Sequence, residues 1–406
     1  MSGAYFFAAG WYTDRVLEKT FLTQVLSRLK AGGIEVTFWD GRTKRFGPDR
    51  PWVKLKINDP KIVGEMRRNT EMAIGEGYMR GRVDVTGDPA ELGHLADANQ
   101  RALEKYLPLL ARKPGKRVGT KRKEAANIRH HYDLGNDFYR LWLDRSMTYS
   151  CAYFKRRTDS LERAQRQKVD HILKKLDLKR GMTLLDIGSG WGELIVRAAK
   201  KYGVKAHGVT LSKEQLAKTQ ERIKREKLGK LVSVELKHYD DLKPSKQYDR
   251  VVSVGMYEHV GRANHDRYMA AVDAALKPGG LSLLHTITQH VRRPMSPWIA
   301  KYIFPGGYIP SLEEVVEKLP GHDFHAIDVE SLRRHYALTL DEWTRRYERH
   351  VKTVAAMYGE EFVRMWRLYL RSSYAGFQWG NLDLHQVLFS KGLTDDVPLT
   401  RNYMYR

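Results

Sequence analysis

Residues 182–193, MTLLDIGSGWGE, constrain the fold of this chain more than any other stretch. Met182 to Ile187 is a short apolar run of the kind that forms a buried parallel strand, and helical spacing begins at Trp191. Gly188, Gly190 and Gly192 lie between them and let the backbone pass close to a ligand with no Cβ in the way. A strand, glycine turn and helix also build dinucleotide sites, so the turn alone does not choose the cofactor. The next strand does. A dinucleotide fold places an acidic residue about 20 positions on, where it holds the ribose hydroxyls. Here Val204–Val209 runs into Thr210, and TLSKEQ follows. A nicotinamide site is therefore disfavoured, and S-adenosylmethionine (SAM), with one sulfonium and no pyrophosphate, is expected. The bland alternative is a packing turn in an open α/β sheet.

Charge narrows the partners. The 406 residues carry 71 Lys and Arg against 48 Asp and Glu, a formal net charge of +23, which predicts an anionic partner surface. Nucleic acid and acidic phospholipid both qualify on charge alone. The single cysteine excludes an internal disulfide and suits a reducing compartment. No uncharged apolar run approaches the length of a bilayer span, and the opening AYFFAAGWY lacks the basic leader of a signal peptide. The expectation is a soluble cytoplasmic protein, peripherally attached to a membrane at most.

A basic seam, ARKPGKRVGTKRKEAANIR at 111–129, divides the chain. Seven residues between Arg112 and Lys123 are basic and none is acidic, with Pro114, Gly115 and Gly119 interleaved, a composition that cannot bury a core. Residues 1–110 read as a small α+β module. Val16, Leu17, Phe21, Leu22, Val25, Leu26 and Leu29 fall at helical spacing, Ile34–Trp39 and Trp52–Ile57 alternate like strands, and Pro89–Leu110 looks helical. Residues 130–406 form the second domain. A helix over 162–176 precedes strands at 182–187, 204–209, 231–236, 248–254 and 281–288, which alternate with helices as in a doubly wound parallel α/β sheet. The stretch 289–320 interrupts this with prolines, glycines and exposed-looking aromatics, Trp298, Tyr302, Phe304 and Tyr308, which suit an insertion or a membrane interface.

Further cofactor candidates follow successive strands. Asp186 ends the first strand, where a carboxylate can hold the methionine ammonium. Thr210 and Gln215 flank the second turn as hydrogen-bond partners for the ribose, and Asp240, in KHYDDL, is placed to accept from an adenine amino group. Taken singly each reads as a cap or loop residue. Their recurrence on the carboxyl edge, where such sheets bind ligands, favours a site.

Other segments extend the pattern: HHYDLGNDFYRLWLDRSMTYSCAYF (130–154), VGMYEHVG (254–261), LLHTIT (283–288) and RRHYALTL (333–340). With AIGEGYMRGRVDV in the first hundred residues, they resemble the cyclopropane fatty acid synthase family, which includes the mycolic acid cyclopropane synthases. The resemblance covers nearly the whole chain. It implies a Rossmann-like SAM-dependent methyltransferase core with an acyl-chain tunnel around 289–320 and an amino-terminal lipid-associated domain. The implied reaction adds a methylene from SAM across a cis double bond of a phospholipid acyl chain. It implies a bound bicarbonate as base, in a cage matching Cys151, Glu258, His285, Ile287 and Tyr336. Tyr149 and Ser150 match residues that close over the cofactor, and Trp191, Leu211 and Tyr239 complete the expected cofactor contacts. A homodimer on an anionic membrane is also implied.

The bland readings stand beside these. Cys151 is expected to be structural, touching bicarbonate through its backbone, since no step needs a covalent intermediate. Glu258 and His259 are adjacent, and helical neighbours do not share a face, so Glu258 is the candidate and His259 is read as packing. His285 lies in a core strand, and only the resemblance argues for chemistry there. His130 and His131 lack further ligands at metal spacing, so no metal is expected. Three other outcomes remain open. The same cation could lose a different proton to give a methylene branch, the chain could N-methylate a small molecule, or it could be a basic nucleic-acid binder. The last lacks the aromatic-basic interleaving that such proteins use.

Overall fold

The computed structural model describes residues 4–103, 106, 134–242 and 248–405, with residues 4–14 described by backbone alone. The basic seam at 111–129, with Lys121, Arg122 and Lys123, lies outside the described residues, as do His130 and His131.

Two compact units result: Met1–Lys113 with Ser296–Tyr302 and Glu348–Gly380, and Pro114–Met295 with Ile303–Tyr347 and Asn381–Arg406. The expected contiguous division at the seam is thus corrected, because two later segments pack within the first unit. Trp298 explains the shorter one. It is buried, its indole N–H points at Met79 Sδ 3.2 Å away, and a Cβ on Gly75 would come within 2.3 Å of its ring. Helix Glu360–Gln378 explains the longer one, burying Val363, Trp366 and Leu370. Its Arg371 Nε donates to Asp88 Oδ1 at 2.8 Å, and Arg364 Nη2 donates to the Val83 carbonyl at 2.8 Å. The aromatics of 289–320 are therefore not an exposed cluster. Tyr308, in the second unit, is buried too, and its hydroxyl donates to Glu314 at 2.7 Å.

In the first unit, β1 (Ile34–Thr37), β2 (Thr43–Phe46), β3 (Val53–Ile57) and β4 (Val83–Thr86) form a sheet of order β2-β1-β3-β4. Val53, Leu55 and Ile57 face its core and Lys54 and Lys56 face water, the alternation expected of a half-buried strand.

The second unit holds β5 (Thr183–Ile187), β6 (Lys205–Thr210), β7 (Val232–Leu236), β8 (Tyr248–Val254), β9 (Leu276–Gln289), β10 (Phe324–Ser331) and β11 (Leu382–Lys391). Their order is β10-β11-β9-β8-β5-β6-β7. The five expected strands are present and parallel, while β11 runs antiparallel to both β9 and β10, so the sheet is mixed where a purely parallel one is expected from sequence. From β5 the chain builds outward to β6 and β7, then crosses to β8 and β9 on the other side. That reversal opens a crevice at the carboxyl ends of β5 and β8, where open α/β sheets bind ligands.

Candidate active site

A cavity occupies that crevice. Tyr149, Ser150, Asp186, Gly188, Gly190, Trp191, Thr210, Leu211, Gln215 and Tyr239 all line it. The three turn glycines have positive φ but different reasons for it. A Cβ on Gly190 (φ +55°) would meet nothing within 4 Å, so that space belongs to the cavity. A Cβ on Gly188 would reach Met256 at 3.0 Å, and one on Gly192 would strike Thr219 at 2.5 Å. Gly192 caps helix Glu193–Tyr202 in the left-handed region and lies outside the cavity lining, so its role is close packing. Asp240 also lies outside the lining, because Arg267 Nε holds its Oδ2 at 2.8 Å.

The other cofactor candidates are held in place. Thr210 Oγ1 donates to Gln215 Oε1 at 2.7 Å, tying together the two expected ribose partners. Trp191 Nε1 donates to Asn136 Oδ1 at 2.7 Å, and Tyr149 packs against Trp142 and Trp343, each with ring centroids 5.2 Å away. Asp186 is buried and its Oδ1 has no partner among the described residues. Burial pushes its carboxyl up to about 7, against the pull of the Lys168 ammonium. An unmatched buried carboxylate is what a ligand ammonium fits.

Several lining residues escaped the sequence reading. Lys168 sits within helix Leu161–Lys175, where lysines ordinarily mark a solvated face. Ser146, Met147 and Thr148 line the cavity because Asp144 curls the chain beneath them, its carboxylate accepting from the Ser146 and Thr148 backbone N–H groups at 2.9 Å each. The spacing Asp-x-Ser-x-Thr is the signal that could have revealed that turn. His259, read as packing, also lines the cavity, whereas Glu258 does not. Burial lowers the His259 imidazole to about 4 and keeps it neutral.

None of the five cage candidates is in the cavity lining, and they are linked to one another through a run of backbone and side-chain hydrogen bonds. Glu258, on the turn of helix after β8, accepts the Ile287 backbone N–H at 2.5 Å. Ile287 pairs with Leu384 across β9 and β11, and the Leu384 carbonyl accepts from Leu332 N–H at 2.7 Å. The Leu332 carbonyl in turn accepts from Tyr336 N–H at 3.1 Å and faces Cys151 Sγ at 3.9 Å. His285 on β9 takes a hydrogen bond at Nδ1 from Gln386 Nε2 at 3.2 Å, which puts its own hydrogen on Nε2. Both His285 Nε2 and Glu258 Oε2 are buried with no partner among the described residues. Burial raises Glu258 to about 7 and holds His285 well below the usual imidazole range, so the corner carries little fixed charge. It joins the cavity through Ser150–Cys151 and through Gly255, whose N–H donates to the His285 carbonyl at 2.8 Å.

Comparison with known proteins decides the family. The model of the mycolic acid cyclopropane synthetase family matches residues 119–387, and a domain family of unknown function, DUF7884, matches 21–105. The chain belongs to the cyclopropane synthase family. It is 38% identical over 382 residues to a probable fatty acid methyltransferase of Pseudomonas putida, covering 92% of this chain and 96% of that one. It is 37% identical to the cyclopropane-fatty-acyl-phospholipid synthase of Escherichia coli K12, covering 86% and 90%. The solved mycolic acid cyclopropane synthase CmaA1, complexed with SAH and CTAB, matches with a TM-score of 0.62 and 37% identity over 66% of this chain and 98% of that one. This family member is a SAM-dependent methyltransferase with the family's α/β fold. Among its described residues no helix is long and apolar enough to cross a membrane.

Proposed function

We propose that the enzyme is a cyclopropane-fatty-acyl-phospholipid synthase, adding a methylene from SAM across the cis double bond of an unsaturated phospholipid acyl chain at an anionic membrane surface. SAM would supply the methyl group, and bicarbonate, held at Glu258 and His285, would supply the proton acceptor. Methyl transfer to one alkene carbon leaves the other cationic. Loss of a proton from the new methyl frees its C–H electron pair to close the ring.

The pair of orphaned buried atoms, Glu258 Oε2 and His285 Nε2, carries this reading. A carboxyl poised near 7 offers a proton to an anion where an ionised one would repel it, and the neutral imidazole presents Nε2–H. Two buried donors in a water-poor corner could hold a small anionic base. Tyr149, on the cavity wall, is backed by the packed rings of Trp142, Trp343 and Tyr336, and an aromatic face there would stabilise a cation without reacting with it.

The alternative from the same cation is a second reading, in which a neighbouring chain carbon loses the proton and a methylene branch forms. Mass spectrometry of lipids from a host expressing the enzyme separates the two. Both add one CH2 to the mass. Ring closure consumes the unsaturation, and branching retains it. Unaltered phospholipid would overturn both.

A further inference from the structure

Two opposite charges share the cofactor cavity without meeting. Of its charged side chains, Glu193 is matched by Arg222 Nη2 at 2.6 Å and Lys237 by Glu235. Asp186 and Lys168 remain. Both are 2% exposed, and neither has a charged partner within ion-pair distance among the described residues, each other included. Lys168 Nζ makes one hydrogen bond, to Ser150 Oγ at 2.8 Å. Since that oxygen accepts, the serine keeps its own O–H to give away.

Burying an ammonium and a carboxylate in one cavity, yet apart, is expensive unless something bridges them. A ligand carrying a negative and a positive group on one carbon would do so, and the α-amino acid end of SAM has that pattern. Resting on the SAM reading of the cavity, we infer that Lys168, with the Ser150 hydroxyl, binds the methionine carboxylate of the cofactor while Asp186 takes its ammonium. Lys168 is thus a specificity residue for the intact amino acid arm, on a helix that the strand-edge motifs do not include. Its amine, lowered by burial to about 8, is restored to full charge by such a carboxylate.

Calorimetry with two probes tests this: SAM, and decarboxylated SAM, which keeps the sulfonium and the amine but lacks the carboxylate. The wild-type enzyme should prefer SAM by roughly ten- to a hundredfold, the range for a hydrogen bond to a charged group. In Lys168→Met that preference should vanish, with SAM falling to the wild-type affinity for the decarboxylated probe, whose own binding stays the same or tightens. A fall of equal size for both probes would make Lys168 merely a prop for Ser150 and overturn the inference, as would a wild-type enzyme that binds the two alike. Should Lys168→Met not fold, Lys168→Arg replaces it, keeping the charge but displacing it; the SAM preference should shrink with the decarboxylated probe unaffected, and an unchanged preference would overturn the inference. A wild-type enzyme that binds neither probe would instead remove the SAM reading itself.

Discussion

Asp186 and Glu258 invite comparison. One closes β5 and the other follows β8, on adjacent strands of one sheet, and burial brings both carboxyls up to about 7. Their neighbours set them apart. Asp186 shares its cavity with the Lys168 ammonium, so its ionised form is favoured as soon as a cation arrives beside it. Glu258 is held by the Ile287 backbone N–H, and no cation among the described residues bears on its titration. On the proposed reading, the first receives positive charge and the second lends a proton to an anion. Environment, not residue type, divides the labour between two like acids.

That contrast breaks down unless the two sites fail differently. Glu258→Ala should cost about 10²–10⁴-fold in turnover, the range for a positioned proton-handling group, with SAM affinity unchanged by calorimetry. Activity of the wild-type enzyme should fall in degassed buffer and recover with added bicarbonate. A Glu258→Ala enzyme that instead loses SAM binding would merge the two sites into one.

The opposite signature belongs to Gly190→Val. Nothing in the protein lies within 4 Å of a Cβ there, so the branched side chain would fill ligand space and spare the core. Its positive φ costs about 1–2 kcal/mol of stability. SAM affinity should fall roughly ten- to a hundredfold or more, as overfilling a fitted site does. Unchanged affinity in a folded variant would remove the glycine turn from the site.

How much of this was legible follows from how each site is built. The cofactor edge is written in contiguous motifs: LLDIGSGWG places Asp186 and the glycines, and TLSKEQ places Thr210 and Gln215. Lys168 was not legible, because a lysine on an amphipathic helix looks the same whether it faces water or a cavity. The proposed anion corner draws on Cys151, Glu258, His285, Ile287 and Tyr336, which lie on separate segments linked through the pairing of β9 with β11. Nothing local signals that pairing. In β11, Gln386 and Ser390 are buried polar residues that blur the apolar pattern, and in β10 the alternation is broken between Ala326 and Asp328. Resemblance to a family supplied those positions where periodicity could not. The first unit failed for a related reason: no local rule tells that Trp298 will seat against Gly75.

A third carboxylate sharpens the comparison from the other side. Glu330 is also largely buried, yet His171 Nε2 at 2.6 Å and the Lys175 ammonium at 2.7 Å hold it, and its carboxyl falls to about 2. A depressed folded-state value means that its stabilisation is full above the unfolded carboxyl range and lost as the pH falls toward 2. Allowing for its partial exposure, Glu330→Gln should cost about 2 kcal/mol at neutral pH, and the gap from wild type should close on acidification. Denaturant melts across that range measure it. A gap that widens in acid would show that the pair with Lys175 does not govern this carboxylate.

The smallest effect is expected at Cys151, and it tests whether the anion corner works through side chains at all its positions. The thiol is fully buried, and burial drives its titration far upward, so no thiolate is available as a nucleophile. Its Sγ lies against the Ala152 carbonyl at 3.2 Å, the Leu332 carbonyl at 3.9 Å and the Thr339 side chain, while its backbone continues from Ser150 on the cavity wall. Cys151→Ala keeps that backbone and removes one sulfur atom, which should cost about 1 kcal/mol in packing. Turnover should drop by no more than about tenfold, with SAM affinity and bicarbonate dependence preserved, because a residue that contributes its main chain survives truncation of its side chain. Complete loss of turnover in a folded, SAM-binding variant would mean that the sulfur makes or breaks a bond, and the proton-lending role argued for Glu258 would then have to share the chemistry with a covalent step.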